Sequence, residues 1–277
     1  MNPIAFLRTV ALAAVLVLPL SARASSGGPP LPQQNWGFLG IFGQFDNAAL
    51  KRGATVAVQV CMACHSIKYI KFDQLKQIGF SDPEVIALAE SQSHTKKDRM
   101  LSAMDPTSAK DSFGVVPPDL SLMTKARKGY EDYTHAILTG YLTDADRQLV
   151  DRVMADQKLD EKEMLELASA LGVDAHQPDK VKETLKRIQE GGNFNKYFPG
   201  NFLAMPQPMS DGAVSYSDGV ENSLKQMAHD VTSFLAWAAE PTLMERKSLG
   251  VNVMLYLVVL TVMLFAVKRR IWAKVEH

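Results

Sequence analysis

Cysteine is scarce and net charge is absent in this sequence. Its 277 residues contain two cysteines, Cys61 and Cys64, and 30 basic residues balance 30 acidic ones. Two thiols exclude a thiolate-rich zinc site, which needs further soft ligands. A balanced chain has no global field that attracts nucleic acid, and we expect no nucleic acid partner. The sequence also lacks a glycine-rich phosphate loop, a nucleophile elbow and an internal repeat.

The two cysteines belong to the segment Cys61-Met62-Ala63-Cys64-His65. Two thiols separated by two residues, with a histidine directly after the second, form the attachment motif for c-type haem. Both sulfurs add to the vinyl groups of one porphyrin, and the adjacent imidazole can ligate the iron. The alternatives are a thioredoxin-like redox pair, which does not need His65, and half a zinc site, which lacks its other ligands.

The N-terminal segment 1–24 has the pattern of a cleaved signal peptide. Arg8 supplies the positive charge, residues 9–20 form an apolar run, and residues 22–24 fit the small-x-small cleavage pattern. The run is shorter than the ~20 residues that a membrane span needs. We therefore expect export, with the two cysteines in an oxidising compartment and haem attached outside the cytoplasm.

The C-terminal segment 249–267 is an almost unbroken apolar stretch, long enough to cross a bilayer core. It is followed by a tail, 268–277, that begins with three consecutive basic residues and contains Trp272. Basic and aromatic residues at one flank are typical of the cytoplasmic side of a span. We predict one transmembrane helix over 249–267, reached through a connection at 244–248. One soluble domain, 25–248, then lies in the bacterial periplasm or the mitochondrial equivalent.

Two helices are predicted near the ends of the soluble region. Asp46 has the position of an N-cap for a helix that leads into the cysteine motif. Gly53 is expected to weaken that helix by up to ~1 kcal/mol relative to alanine. Asn222 or Ser223 caps the other helix, which ends at Glu240 because the residue before a proline resists the α conformation. Packing of these two helices across each other encloses the haem in the predicted fold.

The middle of the chain contains weaker signals. Between residues 66 and 110 we predict one short helix, from Asp82 to Ala89, and we interpret His94 as a solvated surface histidine. Residues 143–190 are predicted to form three helices, at 143–156, 160–171 and 179–189. They are most simply a helical insertion packed on the domain surface. The alternative is an acidic docking face for a basic partner.

Several side chains are candidates for contacts with the haem. A low-spin haem of this type needs a sixth ligand opposite His65, and a thioether raises the reduction potential. Met205 is the preferred candidate because it lies in a proline-braced loop, and Met209 in the same loop is its rival. Weaker candidates are Met100, Met104 and Met123. The double proline at 117–118 suits a chain that lies along a flat ligand. Arg127 can pair with a propionate, although a surface role is the default for an arginine.

A series of short motifs extends in order from the first helix to the anchor. They are Arg52-Gly53, Gln59-Val60-Cys61, Cys64-His65-Ser66, Pro117-Pro118-Asp119-Leu120-Ser121, Ala126-Arg127, Glu131-Asp132-Tyr133, Leu138-Thr139-Gly140-Tyr141, Asn195, Tyr197-Phe198-Pro199-Gly200, Met205, Pro208, Asp230-Val231, Phe234-Leu235 and Trp237-Ala238-Ala239-Glu240-Pro241. This series resembles the cytochrome c1 family, the haem subunits of quinol:cytochrome c reductase (the bc1 complex). The sequence departs from the family at 111–113, where an asparagine-rich stretch is usual, and at 143–190.

The resemblance implies a mainly α fold: a class I cytochrome c-like haem domain with insertions, plus one C-terminal transmembrane helix. It implies one haem c, bound covalently through thioethers to Cys61 and Cys64. His65 and Met205 are then the axial ligands of the iron.

The resemblance also implies haem contacts outside the motif, and partners. It places Pro118 against the haem, and Arg127 and Tyr133 near the propionates. The expected function is that of a one-electron carrier without turnover of its own, which accepts electrons from the Rieske iron–sulfur protein and passes them to a c-type cytochrome. Cytochrome b is the expected partner in the membrane, in a dimeric complex. The alternatives are an anchored cytochrome of another complex, a peroxidase-type haem enzyme with an open sixth position, and an assembly factor with a redox-active cysteine pair.

Overall fold

The structure, a computed structural model, describes residues 29–155, 160–173 and 177–273. The predicted signal peptide, 1–24, lies outside these ranges. Within them the chain is mainly helical, as predicted, and its two strands form one antiparallel pair. The α-helices are α1 Asn47–Gln59, α2 Asp82–Ser91, α3 Pro106–Phe113, α4 Met123–Ala126, α5 Tyr130–Thr139, α6 Asp144–Met154, α7 Glu161–Ala170, α8 Pro178–Gln189, α9 Leu224–Ala239 and α10 Leu243–Trp272. Cys61–Ala63 and Phe72–Ile78 are 3-10 helices, and the strands are β1 Ile67–Lys71 and β2 Arg99–Met100.

Capping side chains begin three helices where the sequence pattern predicts them. Asp46 accepts a hydrogen bond of 2.9 Å from a backbone amide in the first turn of α1. Asp160 and Glu163 form the reciprocal capping box of α7. Of the two candidates for α9, Ser223 is the cap. Helix starts that depend on one local hydrogen bond can therefore be predicted from the sequence.

The segment 66–110 contains more regular structure than the single predicted helix. That helix is present and extends to Ser91, but β1 and β2 also pair here, with Ile67 opposite Met100. Both of these side chains are fully buried. The pairing joins residues far apart in sequence, and β2 is too short to show the alternation that identifies a strand.

Two other local predictions can be compared with the structure. His94 lies partly buried at the surface, and its Nε2 lies 3.0 Å from the carbonyl oxygen of Leu101. The expected connection at 244–248 is helical, because α10 already begins at Leu243. α10 continues to Trp272, and at about 1.5 Å per residue its 30 residues exceed the ~30 Å of a bilayer core. It is the one described helix long and apolar enough to span a membrane, and its most apolar part is not buried against the rest of the chain.

The predicted packing of α1 against α9 is confirmed, and it explains Gly53. The two helices make the most extensive helix–helix contact in the described chain and form much of the main hydrophobic core. A Cβ atom on Gly53 would lie 2.0 Å from the carbonyl oxygen of Asp230 and 2.9 Å from the Cβ of Phe234. The absence of a side chain therefore lets the two backbones touch, which matters more than the loss of helix propensity.

The Gly53→Ala variant is expected to lower the free energy of unfolding by about 1–3 kcal/mol, because the added methyl group must push the helices apart. Helix propensity alone predicts a gain of up to ~1 kcal/mol. Guanidinium unfolding followed by far-ultraviolet circular dichroism measures the difference. Gly250→Ala is the control, since a Cβ at that position meets nothing within 4 Å. A gain in stability for Gly53→Ala would contradict this account of the crossing.

The N-terminal segment is attached to α5, α9 and α10 by one tryptophan and its neighbours. The Trp36 Nε1–H donates to the Asp132 carboxylate at 2.8 Å, and the ring stacks on His229 with centroids 4.6 Å apart. A small hydrophobic cluster continues from there to the start of the last helix, formed by Trp36, Phe38, Ala236 and Leu243. This arrangement holds the segment and the first turn of α10 together.

His135 of α5 lies against this cluster and is 2% exposed. Neither ring nitrogen has a hydrogen-bond partner among the described residues. Burial lowers the pKa of His135 to about 4; the charges of His229 and Lys225 act in the same direction, and the charge of Asp132 opposes them. The folded protein therefore holds this imidazole neutral.

A fall in stability at mildly acidic pH follows from His135. Its pKa in the folded protein is lower than the ~6.5 of an unfolded chain, so the unfolded state binds the extra proton first. The contribution of the neutral imidazole to the free energy of unfolding is full above about pH 6.5 and is lost as the pH falls towards 4. The loss between about pH 7 and pH 5 is about 2 kcal/mol. Unfolding at both pH values, in the wild type and in His135→Phe, measures it. An equal pH dependence in the two proteins would exclude His135 as the cause.

Candidate haem-binding site

The cysteine motif forms one tight turn at the end of α1. The amides of Cys64 and His65 both donate to the carbonyl oxygen of Cys61, at 3.1 and 2.8 Å. This turn brings the two thiols and the imidazole into one short segment, as attachment of a single porphyrin requires. Burial, followed by the neighbouring Cys64, raises the pKa of the Cys61 thiol to about 12.

His65 is oriented by a carbonyl group from a distant part of the chain. Its Nδ1 lies 2.7 Å from the carbonyl oxygen of Pro118. A carbonyl only accepts, so Nδ1 carries the proton and Nε2 keeps its lone pair for a metal. Desolvation lowers the pKa of His65, which favours the neutral form that binds iron. The residues present therefore fit a haem with His65 as a ligand.

The double-proline segment is held against the first strand, which explains the position of the Pro118 carbonyl. The Leu120 amide donates to the Ser66 carbonyl oxygen at 2.8 Å. The Asp119 carboxylate accepts from the Lys68 amide at 3.0 Å, and the Ser121 hydroxyl accepts from the Tyr69 amide at 3.1 Å. Sequence reasoning expected Pro118 to lie against the haem and missed its carbonyl, because the contact depends on this long-range pairing.

The loop that carries Met205 is fastened by Tyr141. The Tyr141 hydroxyl donates to the carbonyl oxygens of Met205 at 2.9 Å and Pro206 at 3.3 Å. Burial raises the pKa of Tyr141 well above its usual value. The Met205 side chain is half-buried, whereas Met209 is 5% exposed and belongs to the main core. Tyr141 appears in the sequence only as the end of a short motif, and nothing local assigns it this role.

The weaker methionine candidates are divided between the core and its edge. Met100 is fully buried in the main core, and Met123 is half-buried against it. Met104 is half-buried near the cysteine motif, where its amide donates to the Ser102 hydroxyl at 3.0 Å. Ser102 in turn donates to the carbonyl oxygen of Ala63 at 3.3 Å.

Arg127 and Tyr133 lie close enough to influence each other electrostatically. Arg127 is exposed at the end of α4, and Tyr133 is half-buried on α5. Desolvation raises the pKa of the Tyr133 hydroxyl, and the Arg127 charge partly offsets this effect. A guanidinium and a hydroxyl on neighbouring elements form a suitable pair of donors for a carboxylate.

The described parts of the insertion 143–190 are mainly helical, as predicted, and they pack on the loop that carries Met205. Its helices have a separate core with Leu167, Leu171 and Val181, which extends to Phe194 beyond the insertion. Arg147 donates to the Gln207 side chain at 3.1 Å, two residues after Met205. The insertion therefore contacts the candidate site through this loop.

A family model and three relatives bear on the identity of this site. A family model described as the cytochrome C1 family matches residues 36–275. Cytochrome c1 of Rhodospirillum rubrum is 36% identical over 285 residues, which cover 97% of each chain. Cytochrome c1 of Rhodobacter capsulatus is 32% identical over 285 residues, covering 96% of this chain and 98% of the relative. The cytochrome b/c1 of Bradyrhizobium diazoefficiens is 35% identical over 272 residues, covering 91% of this chain and 37% of that longer protein.

The mainly helical fold, the cysteine–histidine turn and the C-terminal apolar helix are those of a membrane-anchored c-type cytochrome. The chain belongs to the cytochrome c1 family. Members of this family are the haem subunits of bc1 complexes in electron transport, and the family implies a haem c cofactor.

Proposed function

We propose that this protein is a one-electron carrier that accepts electrons from the Rieske iron–sulfur protein and passes them to a c-type cytochrome. The observation that carries the proposal is the 2.7 Å contact between Nδ1 of His65 and the Pro118 carbonyl oxygen, which presents Nε2 to a metal. When bound, the haem supplies the one-electron chemistry. The chain itself makes and breaks no substrate bond, so we expect no turnover from it alone.

In this proposal one haem is joined by two thioethers to Cys61 and Cys64, and His65 and Met205 hold its iron. Met205 is preferred because its loop is fastened by Tyr141 while its side chain is outside the main core. Met209 would have to leave a close-packed position to become a ligand. The thioether of Met205 then raises the reduction potential.

The remaining haem contacts come from three residues. Pro118 lies beside the ring, where its segment is pinned to β1. Arg127 and Tyr133 bind the propionates, for which the electrostatic pairing of these two residues provides support. Both donors are held by helices that pack against each other, α4 and α5.

Cytochrome b is the proposed partner in the membrane, since the name of one relative joins b and c1 in a single protein. The Rieske protein and a dimeric complex follow from the family resemblance. The proposed topology places the domain 25–248 outside the cytoplasm after removal of 1–24, with α10 as the anchor. The three basic residues after 267 support a cytoplasmic tail, 268–277.

Purification from native membranes in mild detergent tests this function. We expect b-type haem and a Rieske signal to co-purify with the chain, together with inhibitor-sensitive, quinol-dependent reduction of cytochrome c. A lone c-type haem without this activity would indicate an anchored cytochrome of another complex. High-spin iron that binds small ligands readily would indicate a peroxidase-type enzyme, and haem-free protein would indicate an assembly factor.

The Tyr141→Phe variant is expected to weaken the attachment of Met205 without unfolding the domain. Loss of the hydroxyl removes the donor to two loop carbonyls, at a cost of about 1 kcal/mol, which corresponds to about a fivefold increase in the population with a detached thioether. The far-red sulfur-to-iron absorption band should therefore disappear at a lower denaturant concentration. Tyr256→Phe, in α10, is the control. Equal behaviour of the two variants would contradict a role of Tyr141 in this loop.

A further inference from the structure

An exposed apolar loop precedes α1, and nothing in the haem site uses it. It comprises residues 37–44 and is closed by a hydrogen bond of 3.0 Å from the Gln44 amide to the Gly37 carbonyl oxygen. Its tip exposes large apolar side chains: Leu39 is 53%, Ile41 68% and Phe42 84% exposed. Adjoining exposed apolar side chains mark a surface that contacts an apolar partner. We call residues 37–44 the apolar loop.

The backbone of the apolar loop fixes this exposure. Gly40 has a φ of +75°, and a Cβ on Gly43 would lie 1.9 Å from the carbonyl oxygen of Leu39. The stem of the loop is anchored, because Phe38 is 4% exposed in the cluster with Trp36. The chain therefore buries the apolar side chains of the stem and presents those of the tip outwards.

The apolar loop lies at the level where the exposed apolar surface of α10 begins. Lys247 of α10 donates from Nζ to the carbonyl oxygens of Phe38 at 2.5 Å and Gly43 at 3.1 Å. Leu249, two residues further on, is 64% exposed and begins the apolar stretch. Two residues of helix correspond to about 3 Å along its axis.

The start of α10 is packed against the same cluster as the stem of the apolar loop. Leu243 is buried with Trp36 and Phe38, and Met244 packs against the same cluster. Glu240, just before the helix, is paired with Arg246 and with Lys125 of α4. Packing and ion pairs therefore set the position of the apolar loop along the axis of α10.

We propose that the apolar loop inserts its tip into the interfacial layer of the bilayer that α10 spans, on the side of the haem domain. Aromatic and aliphatic side chains gain from burial at the boundary between headgroups and acyl chains, and the amine of a nearby lysine remains at the polar side. The domain then has two contacts with the membrane, the helix and the loop. Two contacts fix the tilt of the domain, and with it the distance of the haem site from the membrane.

Site-directed spin labelling in the complex tests the proposal. Nitroxide is attached to Phe42→Cys in the complex, reconstituted in nanodiscs of phosphatidylcholine and phosphatidylglycerol, with the labelled wild-type complex as background. Power saturation compares collisions with oxygen, which concentrates in lipid, and with a water-soluble nickel chelate. The expected result is an oxygen-to-nickel ratio severalfold above that of Leu165→Cys. Leu165 is a matched apolar residue, 52% exposed on α7.

Each other outcome overturns the proposal for a distinct reason. Access of nickel to Phe42 equal to its access at Leu165 would place the loop in water. Protection from both reagents would show that another subunit, not lipid, covers it. A label at Val258, in the middle of α10, separates failure of the loop from failure of the anchor. Ile41→Cys repeats the measurement at a second tip position, and an unchanged haem spectrum confirms that each variant is folded.

Discussion

The oxidised Met205→Leu variant is expected to lose the far-red sulfur-to-iron absorption band and to have a lower reduction potential. Axial ligands set haem potentials over a range of ~0.8 V, so removal of a thioether should lower the potential by at least on the order of 0.1 V. Leucine is close to methionine in volume, so the packing around this position should change little. Absorption spectroscopy and a redox titration of the purified complex measure both effects.

Met209→Leu is the matched control for this prediction. It removes a thioether from the same loop, but from a side chain that is 5% exposed in the main core. We expect it to keep the far-red band and to change the potential little. If the band disappears in Met209→Leu and persists in Met205→Leu, the assignment of the sixth ligand is wrong.

The Asp230→Ala variant is expected to lose ~3–5 kcal/mol of the free energy of unfolding, the range for breaking a buried ion pair. The Asp230 side chain is fully buried on α9. Its carboxylate accepts from Arg52 of α1 at 2.7 and 3.2 Å, and from Gln226 at 3.0 Å. Its removal leaves a guanidinium that is 12% exposed without its main counter-charge, at the crossing of α1 and α9 beside Gly53. Chemical unfolding followed by haem absorbance measures the loss.

Asp218→Ala is the control that distinguishes the effect of a buried ion pair from that of an exposed one. Asp218 also binds Arg52, at 2.7 Å, but its side chain is 39% exposed. Solvent screens such a pair, and its loss should cost less than ~1 kcal/mol. A similar loss of stability in both variants would contradict the prediction that the burial of the Asp230 carboxylate makes its ion pair more important for stability.

Much of the fold was predictable because helix ends depend on nearby residues. The caps at Asp46, Asp160 and Ser223 each satisfy an amide within three residues, and the structure contains them. The strand pair and the early start of α10 were not predicted. Both depend on contacts with segments distant in the chain: Ile67 with Met100, and Lys247 with Phe38.

In the candidate site, too, some features were predictable from local sequence and others depend on distant contacts. The positions of Cys61, Cys64 and His65 follow from a five-residue motif. The tautomer of His65 does not, since it is set by the carbonyl of Pro118. The preference for Met205 over Met209 came from the sequence and the family resemblance, and the structure adds packing as a reason, because Met209 is buried in the main core.

The sequence by itself determined the attachment motif, the capped helix starts at Asp46, Asp160 and Ser223, and the apolar anchor, because each depends on chemistry or periodicity within a few residues. Tertiary structure alone decided why Gly53 stands at the crossing of α1 and α9, how His65 is oriented, and where the apolar loop lies relative to α10. These features arise when backbone groups far apart in sequence come within hydrogen-bond or van der Waals distance. Local propensity contains no information about such contacts.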